Sequence, residues 1–127
     1  MVLFLDKDQE QNAIDAVRTA LQIREDTLKI RWRCSSLYQP LEINMGINSG
    51  FAYVGAAKFG SITGSRWTCT ARGGITNVAA RIGAQAKGGK VFLSKTTAER
   101  IKDHFDLSPL GKFNSKNVTE EVEIFEI

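Results

Sequence analysis

With 127 residues, 43% of them hydrophobic and 24% charged, the chain falls in the range of one soluble globular domain and outside that of disordered, collagen-like or disulfide-stapled chains. The formal charge of +3 is unevenly spread: residues 58–102 hold nine bases and one acid, Glu99, while the remainder holds eight bases and thirteen acids. A local excess of that kind suits a phosphate-bearing ligand, with a solvated surface as the alternative for any residue taken singly.

The opening run Met1-Val2-Leu3-Phe4-Leu5 stops at Asp6 and has no basic flank, unlike a signal peptide or a spanning helix. Together with only two cysteines, Cys34 and Cys69, it points to a reducing, cytoplasmic setting. Leu3 to Leu5 has the composition of a short buried strand. Ile14, Val17, Leu21 and Leu28, with Ala13, Ala16 and Ala20 beside them, form one apolar stripe and predict a helix from about residue 9 to 30. Leu41, Ile43, Met45 and Ile47 then alternate with polar or small residues, which is strand periodicity. Asn48-Ser49-Gly50 supplies turn chemistry before the extended run 51–57, so 41–57 is expected to be a hairpin, with 58–66 a loop marked by Gly60 and Gly64.

Gly73-Gly74 introduces a helix over about 75–86. Ile75, Val78, Ala79, Ile82 and Ala86 share its apolar side, and Asn77 and Arg81 point away from the core together. Gly88-Gly89 ends that helix, Lys90 to Leu93 is a strand, and Ser94 or Thr96 can cap a further helix through about Lys102. Residues 118–127 close the chain as a strand whose acids at 120, 121, 123 and 126 suit a sheet edge. The pattern as a whole predicts one α+β domain over 1–127, with helices on one face of a largely antiparallel sheet.

Chemistry concentrates in Thr70 to Arg81. Paired glycines before a helix allow backbone amides to approach an anion, and Asn77 with Arg81 adds an amide and a guanidinium one turn apart. The alternative is two solvated surface side chains with no role. Asp6 and Asp8 have the chemistry of turn residues rather than metal ligands, and His104 has no second His or Cys at metal-binding spacing. Trp67 is expected to pack close enough to Thr70 to shape a pocket.

The run Met45-Gly46-Ile47-Asn48-Ser49-Gly50, continued by Tyr53-Val54-Gly55, then Thr70 to Arg81 and Leu110-Gly111-Lys112-Phe113 with Lys116 and Val122 to Ile127, resembles the class III adenylate and guanylate cyclase catalytic domain. In that family a Thr or Asp lies seven residues before an Asn, itself four before an Arg, as Thr70, Asn77 and Arg81 do here. The resemblance implies a ferredoxin-like nucleotide cyclase fold, truncated at its N-terminus, whose site forms between two head-to-tail domains. It implies conversion of ATP, or GTP, to the cyclic nucleotide and pyrophosphate in signal transduction. Arg81 would stabilise charge on the α-phosphate, Asn77 would orient the ribose, Thr70 would face the purine, Lys116 would meet the terminal phosphates and Gly73 would lie against them. Thr70 favours ATP. Gly74 and Thr76 stand where Asp and Val are frequent, and Ser115-Lys116-Asn117 replaces the usual Leu-Lys-Gly.

The family's two metal-binding aspartates precede the strand matched to residues 1–6, so the resemblance places the ligands of Mg²⁺ or Mn²⁺ upstream of this chain. It carries the Asn/Arg half of a site, is expected to be inactive alone, and is expected to pair with a second cyclase domain as a homodimer or domain-swapped dimer. Two other readings compete with the enzyme. One is a catalytically inactive regulatory or dimerisation module. The other is an RNA-binding sheet using Phe51 and Tyr53, which ranks last because no RNP-like motif accompanies them. The expectation is therefore of no nucleic-acid partner and no membrane segment in this chain.

Overall fold

In the computed structural model, residues 1–5, 8–33, 41–62, 64–113 and 121–127 are described, the side chains of 31–33, 61 and 69 excepted. The first helix, α1 (Gln9–Arg33), starts where Asp8 accepts hydrogen bonds from the amides of Glu10 at 2.9 Å and Gln11 at 3.4 Å. Those donors have no intrahelical partner, and a carboxylate at the positive helix end satisfies them. Asp8 is thus a cap, in keeping with its reading as a turn residue; Asp6 lies outside the described residues. The α1 stripe is buried at Ala13, Ile14, Val17 and Ala20, but Leu28 is exposed, contrary to expectation. The cause is length. Twenty-five helical residues rise about 37 Å at 1.5 Å each, and a four-residue strand runs only about 13 Å, so α1 outruns the sheet it covers.

That sheet contains β1 (Met45–Ile47), β4 (Val91–Ser94), β5 (Ser108–Phe113) and β6 (Val122–Glu126), in the order β1-β4-β6-β5. β1 pairs parallel with β4, and the other two ladders are antiparallel. The remaining strands, β2 (Tyr53–Ser61) and β3 (Gly64–Arg72), form a separate two-stranded hairpin. The helices α2 (Gly74–Gln85) and α3 (Lys95–Ile101) complete the order.

Side-chain alternation along β4 divides the core in two. Val91 and Leu93 pack with Ala13, Ile14, Val17 and Ala20 of α1 and Ile101 of α3, whereas Phe92 packs with Ile82 and Ala86 of α2 and Ile124 of β6. Helices therefore cover both faces, which corrects the one-face expectation while leaving the α+β, largely antiparallel fold intact. β1 alternates in the same way: Met45 and Ile47 join the α1 side, and Gly46 faces α2. A Cβ on Gly46 would fall 2.7 Å from Gly83 Cα, so the backbones of β1 and α2 meet with no side chain between them.

Four other expectations fail for identifiable reasons. Residues 1–5 join no ladder, because the strand partner a buried apolar run would need is not formed by any described residue. The 41–57 hairpin does not form, since β1 takes β4 as its partner. Residues 58–66 lie mainly in the arms of β2 and β3, whose ladder runs as far as the Ser61–Gly64 pair. β6 is interior, and two of its acids meet lysines rather than open solvent: Lys95–Glu123 at 3.1 Å and Lys90–Glu126 at 2.9 Å. Ser94, not Thr96, caps α3, accepting from the Thr97 amide.

Candidate functional site

The candidate residues are assembled on one continuous unit. β3 ends at Arg72 and α2 begins at Gly74, so Gly73 alone joins them. Its φ of 135° lies where a side chain would be strained, which is why glycine occupies this corner. The helix start has no side-chain cap and no acid in its first turn. Thr76 instead folds back, its amide and hydroxyl donating to Gly73 O at 3.3 and 2.9 Å. The positive end of the α2 dipole is accordingly left without a compensating carboxylate in that turn.

On α2 the side assignment made from periodicity holds. Ile82 and Ala86 are buried and Val78 packs beside them, while Asn77 is exposed and Arg81 half-buried. One turn apart, the Asn77 amide and the Arg81 guanidinium share a side of the helix. Ala80 and Ala84 are also exposed, leaving the approach to this pair unobstructed by bulky neighbours on the helix. Thr70 is half-buried on β3, across the ladder from Gly55. Lys116 lies outside the described residues, while Thr70, Gly73, Asn77 and Arg81 all lie on the continuous β3–α2 unit.

Trp67 departs from expectation. It is 66% exposed, and in the unbroken β3 ladder a residue three positions from Thr70 projects from the opposite face. Trp67 instead lies under the Lys58 ammonium, 5.9 Å from the ring centroid. His104 bonds Glu10 at 3.0 Å across the α1–α3 contact, consistent with a surface role. Asn48, read from sequence only as a turn residue, donates through Nδ2 to Ile75 O in the first turn of α2 at 3.0 Å; its place inside the Gly46 to Gly50 run was the available signal.

The basic segment resolves into two parts. Lys90 and Lys95 are neutralised by β6, and Arg100 donates to Gln9. Lys58, Arg66, Arg72 and Arg81, on the hairpin and α2, and Lys87 just beyond α2 make no ion pair among the described residues, and the sequence has no acid between Glu42 and Glu99. This half of the molecule is the electropositive one. Among the described residues no group of three or more His, Cys, Asp or Glu side chains is arranged to hold a metal ion, and no helix is long and apolar enough to cross a membrane.

The family described as the adenylate and guanylate cyclase catalytic domain matches residues 1–127. Among solved structures, the adenylyl cyclase CyaB from P. aeruginosa is similar at 30% identity and a TM-score of 0.79, with 94% of this chain and 60% of that chain covered. The guanylyl cyclase Cya2 is similar at 27% identity and a TM-score of 0.77, covering 98% of this chain and 61% of that one. The guanylate cyclase domain of RhGC from Catenaria anguillulae, in complex with GTP, is 26% identical with a TM-score of 0.64, covering 91% and 58%. The chain thus spans about 60% of the length of the structures it matches. No curated protein sequence matches it.

Proposed function

The chain belongs to the adenylate and guanylate cyclase catalytic domain family, and on that premise we propose that it supplies the Asn/Arg half of a shared site in which ATP is cyclised to cyclic AMP and pyrophosphate. The observation that carries this reading is the α2 face bearing Asn77 and Arg81, opposite buried Ile82 and Ala86. In the proposed reaction the ribose 3′-hydroxyl attacks the α-phosphorus, the bond to the bridging oxygen breaks, and pyrophosphate leaves. Arg81 donates to the α-phosphate oxygens, where negative charge grows as the transition state forms. Asn77 holds the ribose so that the hydroxyl stays aligned with the departing oxygen. The Thr70 hydroxyl accepts from the exocyclic amine of adenine. Gly73, with no side chain, admits the phosphates to the start of α2, and Lys116 is assigned to the terminal phosphates.

The relatives do not choose between nucleotides, since an adenylyl and a guanylyl cyclase match about equally well; ATP rests on Thr70. The Mg²⁺ or Mn²⁺ implied by the family finds no ligand set among the described residues, and the roles assigned here are those of this chain's own side chains. The proposed partner is a second cyclase domain. Exposed Phe59, Ile62 and Trp67 support such pairing, because they leave large apolar side chains of the hairpin in solvent where a partner would cover them.

The test mixes this chain with a complete cyclase subunit disabled at its own Asn and Arg, in Mn²⁺ with ATP or GTP. Cyclic AMP should form with the parent chain and fall by about 10²-fold or more with Arg81→Ala, while the chain alone stays silent. A mixture no more active than the disabled subunit by itself overturns the enzyme reading and favours an inactive regulatory module.

A further inference from the structure

We propose that Asn48 is a positioning residue that holds the first turn of α2, and through it Asn77 and Arg81, in register with the sheet. Three contacts place the 46–50 segment as a cradle for that helix. Asn48 Nδ2 donates to Ile75 O at 3.0 Å. Gly46 lies against Gly83, about 1.7 helical turns beyond Asn77, closely enough that a Cβ would collide with backbone. Gly50 sits against the Ile75 side chain in the same way. The start of α2 has neither a side-chain cap nor a first-turn acid, so the bond from Asn48 to Ile75 O ties this turn to the sheet where no cap secures it.

The segment is itself fixed from the other side. Thr97, fully buried, donates to Ser49 Oγ at 3.0 Å. With its only proton committed there, Thr97 must accept from Ser94 Oγ at 3.0 Å, and Ser94 accepts the Thr97 amide. This directed hydroxyl chain ties Ser49 to the cap of α3 and the end of β4. Adjacent residues therefore face two helices: Ser49 secures the segment to α3, and Asn48 extends that fixed point to α2. Asn48 bonds the helix backbone at Ile75, and no hydrogen bond links it to Asn77 or Arg81 among the described residues, so its effect is transmitted by the first turns of the helix.

The inference concerns the site assigned under the proposed function, and its test separates the two. Asn48→Asp is isosteric and removes the donor. Asn48→His restores one, since histidine Nδ1 lies as many bonds from Cα as asparagine Nδ2. Amide hydrogen exchange is measured on the chain alone, comparing 74–81 in α2 with 13–20 in α1. Exchange over 74–81 should quicken at least about tenfold in Asn48→Asp, stay unchanged over 13–20, and return to the parent rate in Asn48→His. In the mixed cyclase assay Asn48→Asp should lower kcat by about tenfold to a hundredfold with little change in KM, and Asn48→His should recover it.

Unchanged exchange over 74–81 overturns the proposal whatever the assay shows. Quickened exchange with parent kcat overturns it as well, because α2 would then move without consequence for Asn77 and Arg81. An equal loss in both variants, with exchange raised in α1 too, assigns Asn48 a general stabilising role and overturns it. If the parent mixture is silent while exchange responds as expected, the hold on α2 is supported and the cyclase reading is what fails.

Discussion

Along β4 all four residues are buried, with Leu93 and Val91 wholly out of solvent, whereas on the β2–β3 hairpin Phe59 is 59% and Trp67 66% exposed. Both regions are β-structure rich in apolar residues, yet one is secured by helices on each face and the other by its own ladder and local pairs such as Lys58 over Trp67. The sheet draws its strength from burial. The hairpin, whose nine-residue arms carry the candidate base-facing Thr70 at one end, keeps its apolar side chains available to a partner. The region that positions the site and the region that presents it are thus stabilised by different terms.

The sharpest way to break this contrast is truncation in each region. Leu93→Ala should cost about 2–5 kcal/mol in urea unfolding followed by far-UV circular dichroism, and Trp67→Ala under about 1 kcal/mol, the remaining cation–π and surface contribution. Equal losses would mean that the hairpin is packed as firmly as the sheet. Glycine substitutions sharpen the point. Gly46→Ala drives a methyl group into the α2 backbone and should lower stability by about 1–3 kcal/mol, while Gly60→Ala, with nothing within 4 Å of the added carbon, should stay within about 0.5 kcal/mol.

A smaller effect is expected at the junction of β4 and α3, where Ser94→Ala removes the cap and should cost about 1 kcal/mol in the same assay. The smallest is electrostatic. The hydrogen bond that Lys95 donates to Glu123 raises its ammonium above lysine's ordinary 10.5. Its contribution is therefore complete below that value and lost as pH climbs through the raised one. As pH rises from neutrality, the difference in thermal midpoint between the parent and Glu123→Gln should accordingly persist until about pH 10.5 and shrink above it; closure near neutrality would dissociate the stabilisation from this ion pair.

Legibility in the sequence followed burial. α1 and α2 stood out because each has one buried side with a clear helical period, β4 as a short apolar run buried on both faces and α3 by its cap signals, and the Asn77/Arg81 side of α2 emerged from the same periodicity that buries Ile82. The β2–β3 arms had no such signal, since both of their faces are largely exposed and Gly60 and Gly64 imitate a loop. β5 escaped a periodic reading because Pro109 and Gly111 interrupt it at a bulge. β6 was placed at an edge on the strength of its acids, and nothing local reveals that Lys90 and Lys95, distant in sequence, would neutralise two of them. Asn48 was visible as a residue but not as a contact, since its partner Ile75 is 27 positions away.

The interior position of β6 has a temporal side. β4 and β5 lie on either side of it and share no ladder, so during synthesis neither can form its ladder with β6 until residues 122–126 have left the ribosome. Until then β4 can pair only with β1, across some 46 positions of sequence, a slow closure. The cores on both faces stay open for that interval, because each includes β6 side chains. A nascent chain therefore waits on β6, and a stop shortly before residue 122 would release a species in which both cores lack their β6 side chains, the kind of intermediate that chaperones bind.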